Sequence, residues 1–138
     1  MKWRVLLCLL LPTSLAAQQD RISLRRVAEE TRALWQRQDA AGVVARSPQL
    51  LIQLPGADPS APVQRPQASK LLRDFFEPSQ EIETLLHDAS ELDNGWGLVE
   101  LRRRYRVKGT QEVREQLLLL SYRQNGNSWA LVELRVGR

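Results

Sequence analysis

The chain has 138 residues, of which 43% are hydrophobic and 26% charged, with 20 lysines and arginines against 16 acidic residues, one histidine and one cysteine. That length suits one domain with one modest core and leaves no room for a second. A single histidine and a single cysteine give too few spaced ligands for a zinc site, no clustered carboxylates suggest calcium, and a formal charge of +4 without a concentrated basic face gives no reason to expect nucleic acid.

Met1 to Ala17 reads as a cleaved export signal. Lys2 and Arg4 form a basic start, Val5 to Leu11 an apolar run, Pro12 a break, and Ser14, Ala16 and Ala17 a small-residue exit. The apolar run is far shorter than the roughly 20 residues of a spanning helix. Cys8 lacks the small residue that a lipoprotein signal places just before its cysteine. The expectation is a periplasmic or secreted product, residues 18–138, with no membrane span after signal removal. Removal takes away the only cysteine, so packing alone stabilises the domain, and lowers the net charge to about +2.

Leu24, Val27, Ala28, Thr31, Leu34 and Trp35 recur at helical spacing, with Asp20 as the expected N-cap. A second short helix is expected from Ala40 to Arg46, weakened by Gly42 and ended at Pro48. Gln49 to Leu54 reads as a strand, with Leu50, Ile52 and Leu54 on one face. Pro55 and Gly56 stop it, and a surface loop carries Pro59 and Pro62 to Pro66. Ala68, Leu71, Leu72, Phe75 and Phe76 then mark a helix that tolerates Pro66 in its first turn. Over Gln80–Leu92 the spacing of Ile82, Leu85, Leu86, Ala89 and Leu92 favours a helix, although Pro78, Thr84 and His87 leave room for a twisted strand.

The last third contains an echo: Trp96, Gly97, Leu98, Val99, Glu100, Leu101, Arg102 recurs as Trp129, Ala130, Leu131, Val132, Glu133, Leu134, Arg135. Turns at Lys108-Gly109 and Asn125-Gly126 frame Gln111–Arg123 between the copies, which predicts a three-stranded antiparallel meander. A period of two sends Val99, Leu101, Val132, Leu134 and Val136 to one face. Trp96, Leu98, Trp129 and Leu131 fall on the other, as an apolar patch suited either to an interface or to cover by a helix of the same chain. Arg102, Arg104, Arg106 and Lys108 share that face, most simply as solvated residues paired across strands with Glu100, Glu115 and Glu133.

This order of parts, with Gln67-Ala68 followed by Phe75-Phe76 at helical spacing and a closing strand after Trp129, resembles the nuclear transport factor 2-like fold. More narrowly it resembles exported bacterial domains of unknown function with that fold, over residues from about Arg37 to Val136. The resemblance implies an α+β domain in which N-terminal helices pack on a curved antiparallel sheet. It implies that His87 lies on a strand, that the cone can open into a pocket, and that a sheet face often serves dimerisation. No catalytic motif of the enzymes on this fold matches residue by residue, and fold alone does not carry function. Asp74, His87, Tyr105 and Tyr122 are the residues a pocket would use, His87 as general base oriented by a carboxylate. Two readings follow: a non-catalytic, homodimeric domain that binds a small apolar or amphipathic ligand or another exported protein, or a lyase, isomerase or hydrolase using the cone. Neither calls for a cofactor.

Overall fold

The computed structural model describes residues 21–137. The predicted signal segment lies outside them, as does Asp20. Helix α1 (Leu24–Gln36) is capped instead by Ser23, whose hydroxyl accepts from the Arg26 amide at 3.2 Å. A single turn, α2 (Ala40–Val43), follows, with Asp39 accepting from the Gly42 amide at 2.9 Å. Gly42 is a close-approach glycine: a Cβ there would stand 2.7 Å from Leu34 Cδ2 and 2.6 Å from Asp39 Oδ2. The helix ends at Val43 rather than Arg46, and Ser47 turns inward to start β1 (Gln49–Gln53).

A loop pinned by Ser60, whose hydroxyl accepts from the Ile52 amide at 2.9 Å, leads to β2 (Val63–Gln64) and α3 (Arg65–Phe76), with Pro66 in the first turn. Then come β3 (Ser79–Glu91), a 3-10 turn at Asp93–Gly95, β4 (Trp96–Val107), β5 (Val113–Asn125) and β6 (Ser128–Val136). The sheet order is β2-β1-β6-β5-β4-β3, antiparallel throughout except that β1 lies parallel to β6. Among the described residues no helix is long and apolar enough to cross a membrane.

Residues 79–91 are strand, as the resemblance implied and against the helical period. The reason is visible in the register. Bulges between Glu81 and Glu83 and between Leu86 and Asp88 each insert an extra residue. Leu86 and Ala89 therefore reach the same face three residues apart, opposite Leu101 and Val99, and imitate helical spacing. The bulges also bend the strand around α1, which closes its free edge with side chains. Gln36 donates to the Ile82 carbonyl at 3.1 Å and accepts from the Thr84 amide at 2.6 Å, while Arg32 donates to the Thr84 carbonyl at 3.3 Å. These groups occupy edge positions that would otherwise invite another strand.

A third irregularity corrects the predicted faces of β6. Ser121 pairs with Glu133 and Tyr122 with Leu131, so Val132 is the extra residue. Before it Trp129 and Leu131 face the core; after it Leu134 and Val136 do. Trp129 is 2% exposed, and its indole donates to the Ile22 carbonyl at 3.1 Å. The two copies of the echoed motif thus fold differently: Trp96 and Leu98 are exposed while Trp129 and Leu131 are covered by the chain's own N-terminal segment and helices. The core lies between α1, α3 and the inner sheet face, where Trp35 meets Phe76 edge-on at 4.8 Å between ring centroids.

Candidate functional site

The inner face of β4 presents Val99, Leu101, Arg103 and Tyr105 in alternation, so Arg103 is carried into the core with the apolar residues. It is 1% exposed. Its guanidinium pairs with Glu81 and donates to Gln116 Oε1 at 3.1 Å. Its Cζ lies 4.0 Å from the Tyr105 ring centroid, 5.2 Å from Phe75 and 5.7 Å from Trp35. Glu81 also accepts from the Thr84 hydroxyl at 3.3 Å. Burial pushes the Glu81 carboxyl above and the Arg103 guanidinium below their ordinary ranges, each against the attraction of the other. This cluster packs in the cone interior, between the aromatic side chains of α1, α3 and β4.

The four pocket residues expected from sequence do not converge. Asp74 is exposed on α3 and pairs with Lys70 at 3.0 Å. His87 is exposed at the second bulge of β3, its Nε2 3.4 Å from Glu100. Tyr105 lies under Arg103. Tyr122 sits opposite Gly97, eight residues along β4 from Tyr105, or about 26 Å at ~3.3 Å per residue. Tyr122 is buried against α1, its hydroxyl 2.8 Å from Thr31 Oγ1, and burial pushes its pKa up to about 12. Among the described residues no three His, Cys, Asp or Glu side chains are grouped as a metal site. Arg103 and Glu81 were missed by attention to charge and chemistry alone; the signal that finds Arg103 is its place in the same alternation as Val99 and Leu101.

The outer sheet face looks different. Leu85, Leu98 and Leu119 are 52%, 47% and 43% exposed there, and Trp96 lies under Arg123 at 4.7 Å. Across β3, β4 and β5 one row runs Glu83, Arg104, Glu115, with Arg104 3.7 Å and 3.8 Å from the two carboxylates. The next row runs Leu85, Arg102, Leu117. Together these rows, with the Arg103–Gln116 pair between them, line an open groove of about 540 Å³. Part of the predicted basic stripe is therefore neutralised across strands. Glu133 and Glu100 pair instead with Arg135, at 2.6 Å, and His87. A smaller niche of about 270 Å³ opens on the helix side, between α1, α2 and the β5–β6 hairpin.

No protein-family model and no curated protein matches the chain. Solved structures do. A ketosteroid isomerase-like protein from Erwinia carotovora atroseptica superposes with a TM-score of 0.66 at 16% identity, covering 91% of this chain and 96% of that one. A domain of unknown function with a cystatin-like fold from Nostoc punctiforme gives 0.65 at 16% identity, over 91% of this chain and 79% of that one. A hypothetical protein with a ketosteroid isomerase-like fold from Catenulispora acidiphila, crystallised with trimethylamine, gives 0.66 at 9% identity, over 84% of this chain and 87% of that one. Identities this low establish architecture and nothing about activity. With helices held in the concavity of a six-stranded, unclosed curved sheet, the chain has the nuclear transport factor 2-like α+β cone fold.

Proposed function

We propose that the protein is an exported, non-catalytic interaction domain that works as a homodimer through the outer face of its sheet. Export rests on the basic, apolar and small-residue sequence of Met1–Ala17 and gives a periplasmic or secreted product. The observation that carries the rest is the division of the sheet: Trp35, Phe75, Phe76, Arg103 and Tyr105 pack inside the cone, while Leu85, Leu98 and Leu119 stand exposed on the opposite side, Leu85 in the wall of the groove. A two-fold axis over that face brings each residue onto another residue of the same face, so a self-complementary surface needs both signs of charge. Arg102 and Arg104 beside Glu83 and Glu115 supply them. Nothing in the positions of Asp74, His87, Tyr105 and Tyr122 favours lyase, isomerase or hydrolase chemistry over this reading.

Sedimentation or light scattering on the mature protein tests it. The expected result is a dimer that Leu98→Glu and Leu119→Arg convert to a folded monomer with unchanged far-ultraviolet circular dichroism. A monomeric wild type, or a dimer indifferent to both changes, refutes the outer face as the interface. The mass of the exported product tests the signal, and a retained Met1 refutes cleavage.

A further inference from the structure

The niche on the helix side shares no residue with the sheet-face groove or with the Arg103 cluster. Val27 and Leu34 from α1, Val43 from α2 and Leu131 from β6 give it aliphatic walls around a volume of about 270 Å³. Tyr122, Arg46 and Glu30 line it as well, and their hydrogen bonds leave a definite remainder. The Thr31 hydroxyl donates its one proton to the Val27 carbonyl at 3.0 Å, so the 2.8 Å contact between Thr31 Oγ1 and Tyr122 Oη uses the tyrosine's proton. Tyr122 Oη, on a residue 2% exposed, is left with acceptor capacity alone. Of the five N–H groups of Arg46, one on Nη2 goes to Glu30 at 2.9 Å and one on Nη1 to Ser128 Oγ at 3.3 Å, which leaves three donors. Glu30 is an acceptor shared between Arg46 and Arg26, the latter at 3.8 Å.

The niche thus offers donors at Arg46, acceptors at Tyr122 and Glu30, and an aliphatic wall. An amine alone meets two arginines against one carboxylate. A carboxylate alone satisfies Arg46 but faces the oxygens of Tyr122 and Glu30 unmatched. A guest carrying both ends on one carbon matches both, because its dipole lies antiparallel to that of the Arg46–Glu30 pair. Both charges reach the Tyr122 hydroxyl: beyond the effects of burial and of the Thr31 bond, Arg46 favours its ionised form and Glu30 opposes it. The desolvation that penalises buried charges is reduced here, since the Arg46 and Glu30 side chains are each 43% exposed. We propose that this niche binds a free aliphatic α-amino acid, its carboxylate on the unused N–H groups of Arg46, its ammonium on Glu30 and Tyr122 Oη, and its branched side chain against Val27, Leu34, Val43 and Leu131.

Leucine, isoamylamine, isocaproate and glycine separate the parts: the amine lacks the carboxylate, isocaproate the ammonium, and glycine the side chain. Each is titrated into the folded, full mature protein while the backbone amides of Thr31, Gly42 and Val43 are followed by nuclear magnetic resonance. Leucine should shift these amides saturably, and each of the other three should bind about fivefold more weakly or worse. Arg46→Gln removes a charge-assisted contact and should weaken leucine by about tenfold. Tyr122→Phe keeps the ring, leaves the bond from Thr31 to Val27 in place, and should weaken leucine about fivefold through loss of one neutral hydrogen bond. Ala45 is exposed at the rim, so Ala45→Phe should block entry without disturbing the core. The proposal is overturned if leucine gives no saturable shift by about 50 mM, a concentration that reaches even very weak sites. It is equally overturned if the amine, isocaproate or glycine binds as tightly as leucine, or if leucine binding is indifferent to Arg46→Gln, to Tyr122→Phe or to Ala45→Phe.

Discussion

Replacing Arg103 by methionine should be among the most damaging single changes available to this domain, and its partner change should undo much of the damage. Both side chains of the Arg103–Glu81 pair are withdrawn from solvent, at 0% and 2% exposure. Arg103→Met preserves length and apolar contact with Tyr105, Phe75 and Trp35 but leaves the Glu81 carboxylate buried with only Thr84 to hydrogen-bond it. Removing one partner of a buried pair typically costs about 3–5 kcal/mol, chiefly through the charge left behind. For a domain of this size that corresponds to a fall in melting temperature of about 12–20 °C. Replacing both residues, as in Glu81→Leu with Arg103→Met, removes the stranded charge, and apolar substitution of a whole buried pair is often neutral or better. Thermal unfolding of the two single variants and the double variant at neutral pH closes the cycle.

The sign with pH is also fixed. Burial raises the Glu81 carboxyl above its ordinary value even with Arg103 present, so the folded state holds this proton more tightly than the unfolded chain. Stability from this group is therefore present at acid pH and lost as pH rises from the unfolded carboxylate value through the raised folded one. Arg103→Met removes the opposing attraction and lifts the folded value further. The deficit of the variant against wild type should shrink as pH falls toward the unfolded carboxylate value, where Glu81 is protonated in both states. A single variant within about 1 kcal/mol of wild type at pH 7, or a deficit that does not shrink on acidification, would refute the claim that the pair is desolvated.

The two echoed tryptophans should separate cleanly. Trp129→Ala should cost about 3–5 kcal/mol, because it opens a cavity under Leu24 and Ile22. Trp96→Ala should change the melting temperature little, since only Arg123 stacks on it; calorimetry giving equal losses would show that the Val132 bulge is misplaced. Tyr122 supplies an alkaline test. Its folded pKa of about 12 lies above the unfolded value of 10, so the folded state keeps the proton longer, and stability is lost as pH rises from 10 towards 12. Tyr122→Phe should abolish that part of the alkaline slope in denaturant titrations, and an unchanged slope counts against the burial of this hydroxyl.

Much of the frame was legible because it depends on repeating patterns. The stripe from Leu24 to Trp35, the break at Pro55-Gly56, the Phe75-Phe76 helix and the meander each rest on many residues agreeing. What was hidden depends on single insertions. One extra residue at Val132 reverses the faces of everything before it, so that an almost identical heptapeptide exposes Trp96 and buries Trp129. Two more in β3 turn a strand into a helical-looking sequence. No glycine or left-handed backbone marks Ile82, His87 or Val132, so these bulges leave no signature in residue type. The candidate site was less legible than the frame. Reading Tyr105, Tyr122, His87 and Asp74 as a set assumed that chemistry-bearing residues gather, whereas register keeps them apart.

The same register ties the packed interior to the exposed face. On β4 the alternation that sends Val99, Leu101, Arg103 and Tyr105 inward sends Leu98, Glu100, Arg102 and Arg104 outward. A slip by one residue would put two arginines and a glutamate into the core and the aromatic contacts of Arg103 into water, so the two faces cannot be exchanged without unfolding the strand. They can, however, be substituted independently. A domain that shares this architecture with proteins 9–16% identical to it can therefore change its packed interior and its exposed apolar face by separate steps, position by position, while the strand order stays the same. Arg103 illustrates the consequence. With Glu81 it packs inside the cone as an ion pair, a more demanding occupant than leucine, and one that ties β3 to β4 at the first bulge. Loss of either partner should loosen that bulge first, and hydrogen exchange in Arg103→Met should rise earliest at Glu83 and Thr84 rather than in the β5–β6 hairpin.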